Sequence, residues 1–182
     1  MTKPAPPLLL CIDLQPAFLA AIPDSQRVHW RCSFALEAAR GLGLPVVFTE
    51  QVPAKLGTTA EDLLALAGRP VALGKGAFSA FGDKKITAHI KAGGAKHLLL
   101  CGIETPVCVY QTAVDAQQAG YQVTLLTDCL GARRADDAAA VLAQLRHLGC
   151  QVLPAESVFY ALLHDAKHPF FRDYTKLVKK YG

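Results

Sequence analysis

Short runs rich in Leu, Val and Ile recur along the chain at Leu8 to Ile12, Val46 to Thr49, Val71 to Leu73, Leu98 to Cys101, Val123 to Leu126 and Gln151 to Leu153. Several show no polar alternation, which means that both faces are covered, as in a parallel sheet. Between them, apolar residues return at helical spacing. This predicts helices over Val28 to Arg40, Leu63 to Ala67, Lys84 to Ala92, Thr105 to Ala119, Asp136 to Leu148 and Glu156 to Leu163. Gly41, Gly93, Gly120 and Gly149 follow four of these segments, where a left-handed C-cap needs glycine. The pattern predicts an α/β fold: a Rossmann-like, three-layer α-β-α sandwich around a six-stranded parallel sheet. The stretch after His164, with Phe170, Phe171 and Tyr174, reads as a polar, basic tail that packs on the domain or on a neighbouring subunit.

Composition narrows the class. A chain of 182 residues with 52% hydrophobic content fits one domain over residues 1–182, because a chain of this length buries roughly 70% of its unfolded surface. The net charge of +4 is spread out, apart from Lys176, Lys179 and Lys180, and points to neither nucleic acid nor an anionic membrane. No apolar run approaches the ~20 residues of a membrane span. The opening MTKPAPP lacks the basic and long apolar regions of a signal peptide, so a cytoplasmic protein is expected. None of the six cysteines stands in a C-x-x-C spacing, which favours reduced thiols over zinc or disulfides. High apolar content with few charges predicts a homo-oligomer.

In sheets of this kind the ligand crevice lies beyond the carboxyl ends of the strands. Three polar candidates follow strands: Asp13, Lys75 and Cys108. Cys108 falls in the first turns of a predicted helix, with Thr105 as N-cap and Pro106 at N1. There the free backbone N–H groups and the positive end of the helix favour a thiolate and can hold an oxyanion. The plain alternative is a space-filling cysteine. Asp13 ends the apolar run LLLCID, where a carboxylate costs several kcal/mol unless paired; a turn cap before Pro16 is its ordinary role. Lys75 sits between two glycines in LGKGAFSAF, and the ordinary reading is a solvated loop lysine. Together the three suit one chemistry: a carboxylate takes the thiol proton while an ammonium steadies the charges. His29, His89, His97, His147, His164 and His168 are dispersed and read as surface or capping residues. Gln15, Phe18, Gln51, Phe78 and Tyr110 lie near the three candidates in chain order and are expected to line a substrate pocket.

The chain resembles the isochorismatase-like cysteine hydrolases, a family that includes nicotinamidases and N-carbamoylsarcosine amidase. LLLCIDLQPAF is similar to the strand bearing the family's aspartate, LGKGAFSAF to its lysine loop, and GIETPVCVYQTAVDAQQAGYQVTLLTDCLGAR to its nucleophile signature. The resemblance implies Asp13 as general base, Lys75 as charge stabiliser and Cys108 as nucleophile. It also implies a cis peptide at Ile103–Glu104 that aims the Glu104 N–H, with that of Cys108, into an oxyanion hole. The Glu104 side chain itself reads as a structural acid pointing away from the site. Nicotinamidases carry an Asp-x-His metal motif after the second strand; here that stretch reads FTEQVPAKLG, so no metal or other cofactor is expected. The wording instead resembles a metal-free branch related to isochorismatase domain-containing proteins. The implied function is hydrolysis of a small amide or carbamoyl compound through a thioester. The alternative is a non-catalytic or redox-sensing binding protein that keeps the fold, with Cys108 as its oxidisable thiol.

Overall fold

The computed structural model describes residues 5–182. Residues 1–4, on which part of the reading of MTKPAPP rests, lie outside the described residues. Six strands, β1 (Leu8–Ile12), β2 (Val46–Gln51), β3 (Ala72–Lys75), β4 (His97–Gly102), β5 (Gln122–Leu130) and β6 (Gln151–Leu153), form one sheet. Their order is β3-β2-β1-β4-β5-β6 and every pairing is parallel. The helices are α1 (Pro16–Leu19), α2 (Ser25–Gly41), α3 (Pro53–Leu56), α4 (Glu61–Leu66), α5 (Lys84–Ala92), α6 (Tyr110–Gln118), α7 (Ala135–His147), α8 (Ala155–Leu163) and α9 (Phe171–Tyr181).

β1 shows why the sheet is central. All five residues of LLLCI are buried. Leu9 and Cys11 join a core that contains Phe34 and Ala38 of α2 and Phe159 of α8. Leu8, Leu10 and Ile12 join a second core with Ile86 and Ile90 of α5 and Ala113 of α6. The alternation places successive side chains on opposite faces of one strand, and each buried leucine contributes about 1.5–3 kcal/mol. This is the predicted three-layer sandwich.

The order of strands places the crevice. From β1 the chain winds outward through β2 to β3, then crosses back to lay β4 on the other side of β1. The loops leaving β1 and β4 therefore diverge, opening a gap at the carboxyl ends of these two strands. Gly102 makes the close approach there possible: its φ is +116°, and a Cβ would lie 2.1 Å from the Ile12 carbonyl oxygen.

Several local expectations need correction. Gly120 and Gly149 take the left-handed conformation after their helices, but Gly93 is right-handed and the turn falls on Gly94. Gly41 is still within α2, and its role is contact: a Cβ would lie 1.9 Å from the Phe170 ring. The segment after His164 is not merely a tail. Its α9 buries Tyr174 and Tyr181 against Phe34, while Arg31 donates to the Tyr181 carbonyl at 3.0 Å and Lys180 pairs with Glu37 at 2.7 Å. It packs on the chain's own α2. The short helices α1 and α3 were not predicted.

All six cysteines are buried free thiols. Cys11 and Cys101 face each other across β1 and β4 with sulfurs 3.5 Å apart. Among the described residues, no helix is long and apolar enough to cross a membrane.

Candidate active site

Asp13 is the first residue beyond β1 and adopts a left-handed backbone, φ 52°, a conformation that aspartate tolerates better than most residues. Its amide donates to the Thr49 carbonyl at 3.1 Å, so the turn is tied to β2. The side chain is 1% exposed. One carboxylate oxygen accepts from Thr49 Oγ1 at 2.8 Å, the other from Lys75 Nζ at 2.7 Å.

Lys75 is not a loop lysine. It closes β3, in register with Gln51 of β2, and its side chain is fully buried. A buried ammonium is tolerated only when its hydrogens are all engaged. Beyond Asp13, Lys75 Nζ donates to Gln51 Oε1 at 2.6 Å and to the Phe78 carbonyl at 2.9 Å, with the Ala77 carbonyl at 3.3 Å. Three strands thus contribute to one ion pair. Gln51 is itself fixed, its Nε2 donating to the Gly76 carbonyl at 2.9 Å.

Cys108 arrives from the other side of the switch point. The Ile103–Glu104 peptide is cis. A π-helical turn over Thr105–Val109 then leads into α6. Thr105 is not the N-cap; that position is Glu104. The Thr105 hydroxyl instead donates to the Gly131 carbonyl at 2.8 Å, stitching the turn to the segment after β5. Cys108 and Asp13 line one cleft of about 450 Å³, within the range of small-molecule sites.

The thiol is held protonated. Burial, above all, pushes its pKa up to about 12, the negative Asp13 carboxylate beside it adds to this, and the Lys75 cation opposes. Asp13 as hydrogen-bonding neighbour raises it further, whereas the Glu104 backbone amide lowers it. The expected resting thiolate is therefore corrected, because the gain from Lys75 and the Glu104 amide is smaller than the cost of burial and of a second anion beside Asp13. Alkylation by iodoacetamide tracks the thiolate fraction. Its rate at Cys108 is expected to climb about tenfold per pH unit between about pH 7 and 10. A rate that levels off below pH 8 in peptide-resolved labelling would contradict this electrostatic picture.

Of the five expected pocket residues, Phe18, Gln51 and Phe78 line the cleft. Gln15 and Tyr110 do not. Gln15 is wholly buried, its amide donating to the Gln51 and Gly57 carbonyls at 3.1 and 2.6 Å and its oxygen accepting from the Gln51 amide at 2.7 Å. It clamps the loop after β2. Tyr110 packs against the core on the α5 and α6 side of the sheet. Ile22, Ile103, Val107 and Arg133 join the lining without having been singled out. The Glu104 side chain binds a backbone group, accepting from the Arg133 amide at 3.2 Å, and pairs with Arg133 Nε at 3.0 Å; both residues line the cleft. Among the described residues, no group of three His, Cys, Asp or Glu side chains is placed to hold a metal ion.

A family model described as the isochorismatase domain matches residues 7–157. Isochorismatase domain-containing protein 2A of Mus musculus is 34% identical over 175 residues, 95% of this chain and 82% of its own. Isochorismatase domain-containing protein 1 of Danio rerio is 32% identical over 177 residues, 97% of this chain; the chain spans 62% of that relative's length. Among solved structures, the MAR1 ribonuclease of Caenorhabditis elegans is 27% identical with a TM-score of 0.90, covering 98% of this chain and 92% of that one. Two structures at 22% identity share the fold. One is YcaC of Escherichia coli, an octameric hydrolase of unknown specificity, with a TM-score of 0.83 over 96% of this chain and 92% of its own. The other is a pyrazinamidase/nicotinamidase of Streptococcus mutans, with a TM-score of 0.71 over 81% of this chain and 100% of its own. From the extent of the domain match and the identity to the mouse relative, the chain belongs to the isochorismatase family, whose members are hydrolases.

Proposed function

We propose that the protein hydrolyses a small amide or carbamoyl compound through a thioester on Cys108. One observation carries this reading: a buried carboxylate, paired at 2.7 Å with a buried ammonium behind it, lines one cleft with a thiol. Lys75 has its hydrogens engaged and Asp13 has both oxygens bonded, so the carboxylate is fixed in orientation, and the thiol beside it is its proton donor. As the sulfur attacks the carbonyl carbon, Asp13 takes the thiol proton and the carbonyl electron pair moves onto oxygen. The Glu104 and Cys108 amides are the donors for that oxyanion. Asp13 then protonates the leaving nitrogen as the C–N bond breaks. In the second half it draws a proton from water attacking the thioester, and the departing sulfur takes that proton back.

The carboxylate held beside the thiol supports a catalyst over a redox sensor, since it gives the sulfur a base to take its proton during attack. The nicotinamidase fold neighbour favours amides among the bonds this family can cleave. The octameric YcaC structure supports a homo-oligomer, and the cytoplasmic assignment stays with the reading of the sequence. Rapid-quench assays across uncharged amides and carbamoyl compounds are expected to show a burst of about one amine per chain before steady turnover. Alkylation of Cys108 without turnover of any such compound would overturn the reading.

A further inference from the structure

The cleft says what kind of acyl group it takes. Its side walls are Phe18, Ile22, Phe78, Ile103 and Val107. The buried polar groups of the same lining are already committed, Asp13 to Thr49 and Lys75 and Gln51 to Lys75 and Gly76, while the half-exposed Arg133 side chain holds Glu104 through Nε alone. Each cation that reaches the site is matched by one carboxylate, Lys75 by Asp13 and Arg133 by Glu104, so the charges cancel in pairs. A carboxylate on the substrate that approached the thiol would meet the buried Asp13 carboxylate with the Lys75 hydrogens already engaged, and unmatched charge in a buried site is strongly disfavoured.

A second observation concerns Phe78. Its carbonyl is anchored by Lys75 at 2.9 Å, yet the residue is 54% exposed, more than any other large apolar residue among the described residues. An aromatic ring left in water at the mouth of an apolar cleft gains by burial when an apolar ligand enters.

We infer that the cleft selects amides whose acyl group is uncharged and apolar, with Phe78 as the wall that the acyl chain covers and Glu104 as the carboxylate that cancels the charge of Arg133. This rests on the cysteine-hydrolase reading and names its substrate class.

Aldehydes test the inference without turnover. The thiol adds to the aldehyde carbon, forming the S–C bond, and the carbonyl oxygen takes the thiol proton by way of Asp13, giving a hemithioacetal that resembles the tetrahedral intermediate. Butanal and 4-oxobutanoate have the same chain length and differ in a terminal methyl or carboxylate. Protection of Cys108 from iodoacetamide, read by peptide mass spectrometry, reports binding of each. Butanal is expected to protect at concentrations about tenfold or more below 4-oxobutanoate. Phe78→Ala should raise the butanal requirement about tenfold, and Glu104→Gln, which frees Arg133, should bring the two aldehydes within about threefold of each other. Equal or better protection by 4-oxobutanoate in the unaltered protein overturns the selectivity while leaving the hydrolase reading intact, and so does an unchanged butanal requirement in Phe78→Ala. If neither aldehyde protects and no amide is turned over although Cys108 alkylates, the hydrolase reading fails and the selectivity falls with it.

Discussion

Lys75→Met is expected to destabilise the fold by about 3–5 kcal/mol, the cost of leaving a buried carboxylate without its cation. Asp13 would keep only the Thr49 hydroxyl and the weak thiol donor of Cys108, at a site 1% exposed. Gln51 Oε1 and the Phe78 carbonyl would lose the same donor, so the ends of β2 and β3 and the loop after them should loosen together. Chemical denaturation measures the loss. Combining the substitution with Asp13→Asn should recover most of it, because removing both partners of a buried pair is far cheaper than removing one. A single variant as stable as the unaltered protein would mean that the pair is not the anchor its geometry indicates. Amide turnover is expected to fall in both variants, since each removes a group that orients or carries the proton.

Cys108→Ala is expected to lower amide turnover by about 10⁴-fold or more, in line with removal of a nucleophile that acts as a unit with its base. Stability should change by only about 1 kcal/mol, a shift of a few degrees in Tm, because the side chain is small and Asp13, its hydrogen-bonding neighbour, keeps Thr49 and Lys75. The contrast with Lys75→Met separates the two roles: one residue holds the site together, the other reacts. Turnover surviving in Cys108→Ala at a tenth or more of the original rate would point to a hydrolysis that proceeds without a covalent step.

The sheet was legible because a parallel strand buried on both faces leaves an uninterrupted apolar run, as in β1 and in LLLC of β4, while β2 shows it only in its opening VVF. β5 extends past its predicted end, to Leu130, because the run LLTDCL carries Thr127 and Asp128, two polar residues that a local pattern reads as a stop. Asp128 earns its place through contacts that no local pattern contains: it pairs with Arg31 at 2.8 Å and accepts from the Ala155 amide at 2.7 Å. The α9 helix was passed over because its lysines and arginine mask the spacing of Phe171, Tyr174, Leu177, Val178 and Tyr181, which does repeat at three and four residues.

At the site, Asp13, Lys75 and Cys108 could be picked out because each interrupts or follows an apolar run. What could not be read is where the loops travel. Arg133 reaches Glu104 across 29 residues, and Thr105 reaches Gly131 across 26, so the cleft wall and the true cap of the π-helical turn both depend on a segment after β5 with no local signature. Gln15 was misplaced for the same reason: beside Asp13 in sequence, it turns to the loop after β2. The charge state of Cys108 was misjudged because helix position is visible in a sequence while burial beside Asp13 is not.

The central claim is that Asp13, Lys75 and Cys108 act as one unit that passes an acyl group through sulfur. Acid quench during turnover of an amide, followed by intact and peptide mass spectrometry, tests it most directly. The account predicts a mass increase equal to the acyl group replacing one hydrogen, confined to the peptide that bears Cys108 and absent from Cys108→Ala. Full turnover with Cys108 unmodified at every quench time, and an undiminished rate in the alanine variant, would contradict it.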